Sequence, residues 1–555
     1  MVQFQHTWPP QSAMLLWVPP ILYFLGAMAG QLVPGRRLAL DSVRNLSRLV
    51  SWIALFCSIT FCADVLLRGP SLVRGPRLFA LGAFGECRLS FRSDSVEALM
   101  LLLVTFLGWV IVSYSRGYLA GDPKERNYIR NLMQILAAVS LLITTNNLIV
   151  FVIAWVVTSL SLHGLLTLYP ERQPAVIAAH KKFLASRLGD VTLLCGVFLL
   201  GSQTGSLEMD EVLRRIAGMH PVPPPLHLAA TLLALSAIIK CAQLPLHGWL
   251  IQVMEAPTPV SALLHAGVVN LGGFMLIRLA PAINTTPTAQ LLLAMVGCLT
   301  AVISSLVMTT RISIKVHLAW STCAQMGFML MECGLGLYNL AFLHLLAHSL
   351  YKAHAFLGAG GAVQQSQLKR MSPKSMSVSV VMVIGSGCLG LLVAACGALQ
   401  WQQHSKIDPA TLFCITVAGL AIAMFLAAML SARSIGNSLL LLASALGIIV
   451  VYFGYDKLFS LFIVSANTLS SHRNTLIFAA MCFGLLYILQ GSLRARPLGR
   501  FAATLYPWFY AGLYLDEIFT RATFRIWPAR RFREKTPCAT PHNPSKPEEL
   551  FDEFN

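Results

Sequence analysis

Charge is scarce in this chain. Of its 555 residues, 12% are Asp, Glu, Lys or Arg, and acids are the rarer kind, 23 against 41 Lys and Arg. Soluble domains carry about twice that charged fraction. Here 56% of residues are hydrophobic and the mean hydropathy is +0.68, which excludes an ordinary soluble globular protein. Nucleotide-driven chemistry has no footing either: GxxxxGK[ST] is missing, and GAGGAV at 358–363 ends an apolar helix. The 13 cysteines include no CxxC pair and lie mostly in apolar segments, as Cys57, Cys62, Cys195, Cys298, Cys388 and Cys396 do. They read as small buried residues, neither a disulfide framework nor a metal site. The N-terminal MVQFQHTWPPQSAM lacks a basic leader and a small-residue cleavage site, so the first apolar run is expected to remain as a crossing.

What the chain has instead is apolar length. Runs long enough for a helix to cross roughly 30 Å of hydrocarbon recur near 13–33, 50–67, 96–115, 132–148, 149–169, 183–202, 226–244, 258–281, 289–310, 318–338, 340–361, 376–400, 411–432, 437–455 and 474–492. They predict an all-α polytopic membrane protein with about 13–15 transmembrane helices. The formal charge of +18 resides in connecting loops and the C-terminal tail. Loop residues such as Arg36, Arg37, Arg44 and Arg48, or Lys369, Arg370 and Lys374, are expected to anchor helices against anionic membrane lipids, not nucleic acid. The loop carrying Arg68, Arg74, Arg77, Arg88 and Arg92 is basic too, so loop charge alone does not orient the chain. Four regions are expected: N-terminal crossings and a basic loop (1–95), a translocating core (96–365), C-terminal crossings (366–492), and an amphipathic helix with a polar tail (493–555).

An ionisable side chain inside hydrocarbon costs at least about 2.5–3.5 kcal/mol, so each one at depth is a functional candidate. Lys240 ends the run TLLALSAIIK, and Pro245 follows where it would remove a helical hydrogen bond and free carbonyls toward a cavity. Pro257 and Pro259 in APTP mark a second interruption. The pattern reads as a discontinuous helix beside a proton-exchanging lysine; snorkelling of Lys240 to the surface is the alternative. His265, in the next helix, falls near the level of Lys240 if the two pack antiparallel. In HLLAHSLYKAH, His344, His348 and Lys352 are spaced four apart, so one helix face carries three proton-exchanging groups, with His354 off it. A polar seam between helices remains the alternative. Zinc is disfavoured, since HExxH is missing and no carboxylate or cysteine follows at ligand spacing. Lys315, His317 and Glu332 either extend this polar line or, at the helix start, anchor the interface.

KCAQLPLHGWL, APTPVSALLHAG, and the span from KVHLAWSTCAQMGFM to HLLAHSLYKAHAFL resemble the proton-translocating antiporter-like family. That family comprises the large membrane subunit of respiratory complex I and the large subunit of multisubunit sodium/proton antiporters. The resemblance spans roughly 95–365 and implies a bundle of about fourteen helices built as two inverted five-helix repeats, each with a broken helix. It casts Lys240 as the lysine of the first broken helix, His265 as the histidine after it, and His344, His348 and Lys352 as the central relay. Arg187, Gly189 and Asp190 in SRLGD match a polar signature on the preceding helix.

Two departures stand out. Where the family has a glutamate after Trp in the fifth helix, AWVVTSLSLH places Val156, so a substitute carboxylate, Asp190 or Glu255, is expected beside Lys240. The later lysine of the second broken helix has no counterpart between Ser375 and Gln403. At the C-terminus, Leu515, Ile518, Phe519, Ala522 and Ile526 form an apolar stripe with Asp516, Glu517, Thr520 and Arg521 opposite. Such a helix is expected to lie on a surface or to dock a partner. The departures and the GLYLDEIFTR tail resemble the membrane subunits of inorganic-carbon accumulation complexes. That likeness implies a bacterial inner-membrane, multi-pass subunit without a cofactor of its own. It would pass a cation, H+ in the first instance, to energise a large soluble zinc-containing partner related to carbonic anhydrases, which converts CO2 to bicarbonate. A proton-pumping subunit of a complex I-like or sodium/proton antiporter assembly is the alternative.

Overall fold

The computed structural model describes residues 15–32, 38–80, 82, 86–219, 221–361, 379–402, 473–496 and 499–527, with isolated positions between 412 and 454. Helices α1 (Val18–Leu32) and α2 (Leu38–Arg68) lead into a hairpin of β1 (Ser71–Ala80) and β2 (Glu86–Ser93). The bundle continues with α3 (Ser95–Tyr118), α4 (Glu125–Thr144), α5 (Leu148–Leu166) and α6 (Gln173–Thr204). After a short surface helix, α7 (Met209–Ala217), come α8 (Pro224–Lys240), the stub α9 (Gly248–Gln252), α10 (Thr258–Ala266) and α11 (Leu271–Arg278). A five-residue turn, α12 (Ala280–Asn284), precedes α13 (Pro287–Val307), α14 (Ile314–Gly334) and α15 (Tyr338–Leu357). Then follow α16 (Val380–Gln402), α17 (Arg473–Ala495), and two tail helices, α18 (Arg500–Tyr510) and α19 (Leu515–Ile526).

Seven helices among the described residues are long and apolar enough to cross a membrane, with α1, α8 and part of α16 as shorter apolar helices. Their outward faces expose Phe56, Ile153, Val191 and Met481, the surface a lipid-embedded bundle presents. The predicted crossings to 400, and that near 474–492, each coincide with a described helix, whereas those near 411–432 and 437–455 lie largely outside the described residues. Charged ends conceal helix length: α2 begins twelve residues before its apolar run, and α6 begins ten before. One feature was not anticipated, the antiparallel hairpin in the basic loop, pairing Ser71 with Ser93 through Ala80 with Glu86.

Without a hydrophobic drive between helices in lipid, close packing through small residues holds such bundles together. Gly189 and Gly196, seven apart on α6, let α8 approach, and the Ser236 hydroxyl donates to the Gly189 carbonyl at 2.8 Å. Gly297 of α13 and Gly327 of α14 meet so closely that a Cβ on either would lie under 2.7 Å from the other's carbonyl oxygen. Gly297→Val or Gly327→Val is therefore expected to cost about 1–3 kcal/mol through overpacking. Thermal unfolding in detergent would read this as a lower midpoint, unchanged in Gly360→Ala, whose new methyl meets open space.

Candidate ion-translocation site

The break after Lys240 is built from backbone hydrogen bonds. Gln243 N–H donates to Ile238 O at 3.1 Å and Ala242 N–H to Ile239 O at 3.2 Å, the crossed pair that ends a helix when the residue after its cap turns left-handed. Ala242 takes that turn, at φ +51°, where glycine is usual and a side chain costs roughly 1–2 kcal/mol. The freed groups find partners within the protein: Leu244 N–H meets Thr300 Oγ1 at 3.3 Å, and the Gln243 amide donates to Cys241 O at 2.8 Å. Pro245 lies in the non-helical link before α9, Pro257 caps α10, and Pro259 lies in its first turn.

Lys240 is buried with its ammonium 4.3 Å from the centre of the Trp155 ring, a cation–π contact. Trp155 immediately precedes Val156 on α5, and its aromatic face meets the lysine. A cavity of about 10 Å³ separates Lys240 from Lys182 of α6, lined also by Trp155, Ser186, Gly189 and Val268. That is about the space of one water. Lys182 donates to Ser159 O at 2.5 Å and Ser159 Oγ at 2.9 Å, one turn beyond Val156. Asp190, also buried, pairs with Arg187 at 2.6 Å and interacts electrostatically with both Lys240 and Lys182. Asp190 on α6 therefore lies within electrostatic reach of Lys240, with no ion pair between them among the described residues; Glu255 ends a short 3-10 turn, and its side chain lies outside the described set.

A second cluster lies on α10, α14 and α15. Lys352 is fully buried, donating to Leu318 O at 3.0 Å and Ser321 Oγ at 2.8 Å. His265 shares a hydrogen bond with Thr322 Oγ1 at 3.1 Å and stacks on Phe356 at 4.4 Å. His348 is buried with neither ring nitrogen bonded among the described residues, and its ring centre is 6.3 Å from that of His344. His344 closes the line, bonding Glu332 at 3.0 Å and Gln325 at 2.8 Å. His354 is exposed, off this face. Lys315 sits part-exposed in the first turn of α14, three residues before Leu318, at the rim of the cluster. Val268, which lines the Lys240 cavity, lies three residues beyond His265, in the 3-10 turn between α10 and α11.

The tail departs from expectation. Asp516 does not face outward: it pairs with the fully buried Lys181 at 2.7 Å and accepts from Gln252 at 3.0 Å. It fills the space above Gly248, where a Cβ would collide with its carboxylate. Phe519 packs on the main core and Thr523 is buried, while Ile518 and Ile526 of the expected apolar stripe are 77% and 69% exposed. Leu515 is half-buried, and Glu517 and Arg521 are exposed, 3.2 Å apart. The inward face is thus mixed, Asp516 beside Leu515 and Phe519, because an unpaired buried ammonium would be a costlier omission than two exposed isoleucines. Trp527 stacks on His180 at 3.9 Å, and Arg311 donates to Phe509 O at 3.2 Å. Sequence reasoning missed Lys181 and Lys182; HKKFLASRLGD was itself the signal, two lysines inside a helix that continues as an apolar crossing. It also missed a buried cluster at the opposite end, where Arg278 pairs with Glu97 and, at 3.4 Å, with Asp94.

Among the described residues no three His, Cys, Asp or Glu side chains converge as metal ligands. The arrangement is one of lysines and histidines spaced by hydroxyls, carbonyls and a water-sized gap inside a membrane bundle, the layout of an ion-translocating subunit. A family described as NADH:quinone oxidoreductase/Mrp antiporter, TM, matches residues 145–430, and NADH-Ubiquinone oxidoreductase (complex I), chain 5 N-terminus, matches 81–129. The probable inorganic carbon transporter subunit DabB of Hydrogenovibrio crunogenus is 39% identical, over 95% of this chain and 97% of its own length. DabB2 of Halothiobacillus neapolitanus, a probable inorganic carbon transporter subunit, is 37% identical over 98% and 99%. NADH-quinone oxidoreductase subunit L of Mycobacterium tuberculosis is 36% identical over 49% of this chain and 43% of its own. In fold, the Mrp complex from Dietzia sp. DQ12-45-1b aligns with TM-score 0.54 at 22% identity, over 95% of this chain and 57% of that one. The chain belongs to the NADH:quinone oxidoreductase/Mrp antiporter membrane family, within its branch of DabB inorganic carbon transporter subunits.

The left-handed turn after Lys240 makes a prediction. Ala242→Gly is expected to raise the thermal unfolding midpoint, by up to about 1 kcal/mol of relieved strain. Ala242→Val should lower it, because a β-branched side chain fits that conformation worst.

Proposed function

We propose that this chain is the cation-translocating membrane subunit of an inorganic-carbon accumulation complex. In this reading it passes protons down their gradient to energise a large soluble, zinc-containing, carbonic-anhydrase-like subunit of DabA type. The observation that carries the reading is the buried series Lys182, Lys240, His265, Lys352 and His348, continued by the part-buried His344 to the buried Glu332, together with the similarity to DabB subunits over nearly the whole chain. Lys182 and Lys240 face one water-sized gap beside Asp190. In this reading the gap lets a water pass a proton between the two amines. His265 and Lys352 continue the path to His348, whose ring nitrogens have no hydrogen-bond partner among the described residues. The chain supplies the proton path, and the zinc chemistry belongs to the partner.

Both ends of the bundle carry basic residues paired with acids, Arg44 with Glu125 and Lys124 with Glu171 where the tail docks, Arg88 with Glu86 and Arg215 with Glu211 at the other end. In the proposed reading the end that holds the tail faces the cytoplasmic side of the bacterial inner membrane, toward the soluble partner. His180, Lys181 and Lys182 are consecutive on α6: the first stacks on Trp527, the second pairs with Asp516, and the third lines the Lys240 cavity. The tail therefore stands one residue from the ion path, and its exposed face of Ile518, Glu517, Arg521 and Ile526 is left for the partner. A proton moving through a 100 mV potential releases about 2.3 kcal/mol, enough to bias an equilibrium more than tenfold.

The deciding experiment is accumulation of labelled inorganic carbon in cells lacking carbonic anhydrase, expressing this chain with its soluble partner. Uptake is expected to need both chains and to collapse with an uncoupler. Lys240→Ala and His348→Ala should each abolish it with the complex still assembled, and wild-type uptake in both would refute the relay.

Separately, Asp516→Asn leaves Lys181 buried without a carboxylate, a cost on the order of 2 kcal/mol. It is expected to lower uptake sharply while partner capture is retained. Gly248→Ala, which displaces Asp516 without altering charge, should reproduce that effect; normal uptake in both would show the tail to be a passive strap.

A further inference from the structure

A cavity of about 240 Å³ opens between α2, α3 and α4 at the tail end of the bundle, well away from the lysine and histidine series. Its charged lining comprises Arg44, Arg48, Arg116 and Glu125. Glu125 is matched within the protein: Arg44 grips its two oxygens at 2.6 and 2.5 Å. Among the described residues Arg48 and Arg116 have no ion-pair partner, so two guanidinium groups remain unneutralised at one mouth. Beside them stands the tilted pair of Trp52 and Trp109, ring centres 4.8 Å apart. The Trp109 indole nitrogen is buried and has no hydrogen-bond partner among the described residues, an omission that an acceptor in the cavity would repair.

The same order of side chains descends both helices. On α2, Arg48, Trp52 and Phe56 follow at four-residue intervals; on α3, Arg116, Ser113, Trp109 and Phe106 follow at three and four. Such spacing keeps each series on one helix face. Each face thus runs from guanidinium through indole to phenyl as it passes from the helix end toward mid-bundle, where Phe56 and Phe106 are exposed. Charge at the mouth, indoles at the boundary and exposed hydrocarbon beneath reproduce the layers of a phospholipid: phosphate, glycerol and acyl chain.

We propose that this cavity is a binding site for the phosphate of an anionic phospholipid, held by Arg48, Arg116 and the Trp109 N–H, with its acyl chains along Phe56 and Phe106. A free phosphate ion satisfies the upper half of the site and leaves the apolar faces unused. A zwitterionic lipid brings its own cation beside two unpaired arginines, which disfavours it.

Native mass spectrometry of the full chain, delipidated in detergent and then offered phosphatidylglycerol or phosphatidylcholine, tests the assignment. Phosphatidylglycerol should be retained at least tenfold better. Arg48→Gln/Arg116→Gln should erase that preference without shifting the thermal midpoint, while Arg214→Gln at the opposite end leaves it intact. Trp109→Phe keeps the ring and removes the donor, and should weaken retention several-fold even if the double variant folds poorly. Equal retention of the two lipids, undiminished phosphatidylglycerol in both variants, or full displacement by millimolar inorganic phosphate would each overturn the proposal.

Discussion

Hydrocarbon offers no hydrogen bonds, and a helix that stops inside it must find partners for every amide it frees. The end of α8 meets this constraint locally. Two crossed backbone bonds close the last turn, a threonine hydroxyl from α13 takes the next free amide, and Ala242 accepts a left-handed conformation to make the turn. Because the break is satisfied by its own backbone, Lys240 can end the helix at depth while its ammonium rests on an indole face. The glycines of α6 serve the same end, bringing α8 near enough for Lys182 and Lys240 to share one small gap.

Much of this was legible in sequence, for reasons that differ by element. Apolar runs announce crossings because the solvent demands a fixed length of apolar helix, so α3, α5, α10–α11 and α13 fall within a few residues of expectation. Buried charges were legible when isolated: Lys240, His348 and Lys352 stand out against Leu and Ala. Lys181 and Lys182 did not, because two adjacent lysines near a helix start look like an interfacial anchor. Burial of Lys181 depends on a segment more than three hundred residues away, since its partner is Asp516. The inward position of Asp516 was hidden for the same reason. Hydrophobic periodicity describes a helix against a uniform surface, and here the surface beneath α19 holds a buried cation.

Loss of the glutamate at Val156 is intelligible in the same terms. A carboxylate on α5 would meet Lys240 directly; in this chain Asp190 supplies the negative charge from α6, where Arg187 already holds it at 2.6 Å. Lys240 then keeps a softer aromatic contact in place of a tight ion pair. A tight pair fixes a proton in one place, whereas a cation–π contact holds the charge with less directional demand. The shift of the carboxylate therefore weakens the grip on Lys240 and draws Lys182 into the site.

That substitution also explains why the tail is attached where it is. The segment of α6 carrying Asp190 carries Lys182 as well, and the residue before Lys182 is the one that Asp516 holds. A rigid helix transmits a small displacement of one residue to its neighbours with little loss, because packed interiors shift between discrete arrangements instead of deforming smoothly. Movement of α19 by a docked partner would thus reach Lys182 through one helical step, and a change of charge at Lys182 would reach the tail by the same route. Under the proposed function, coupling of this kind is reciprocal by thermodynamic necessity: whatever an ion path through Lys182 does to the tail, a partner on the tail does to the ion path.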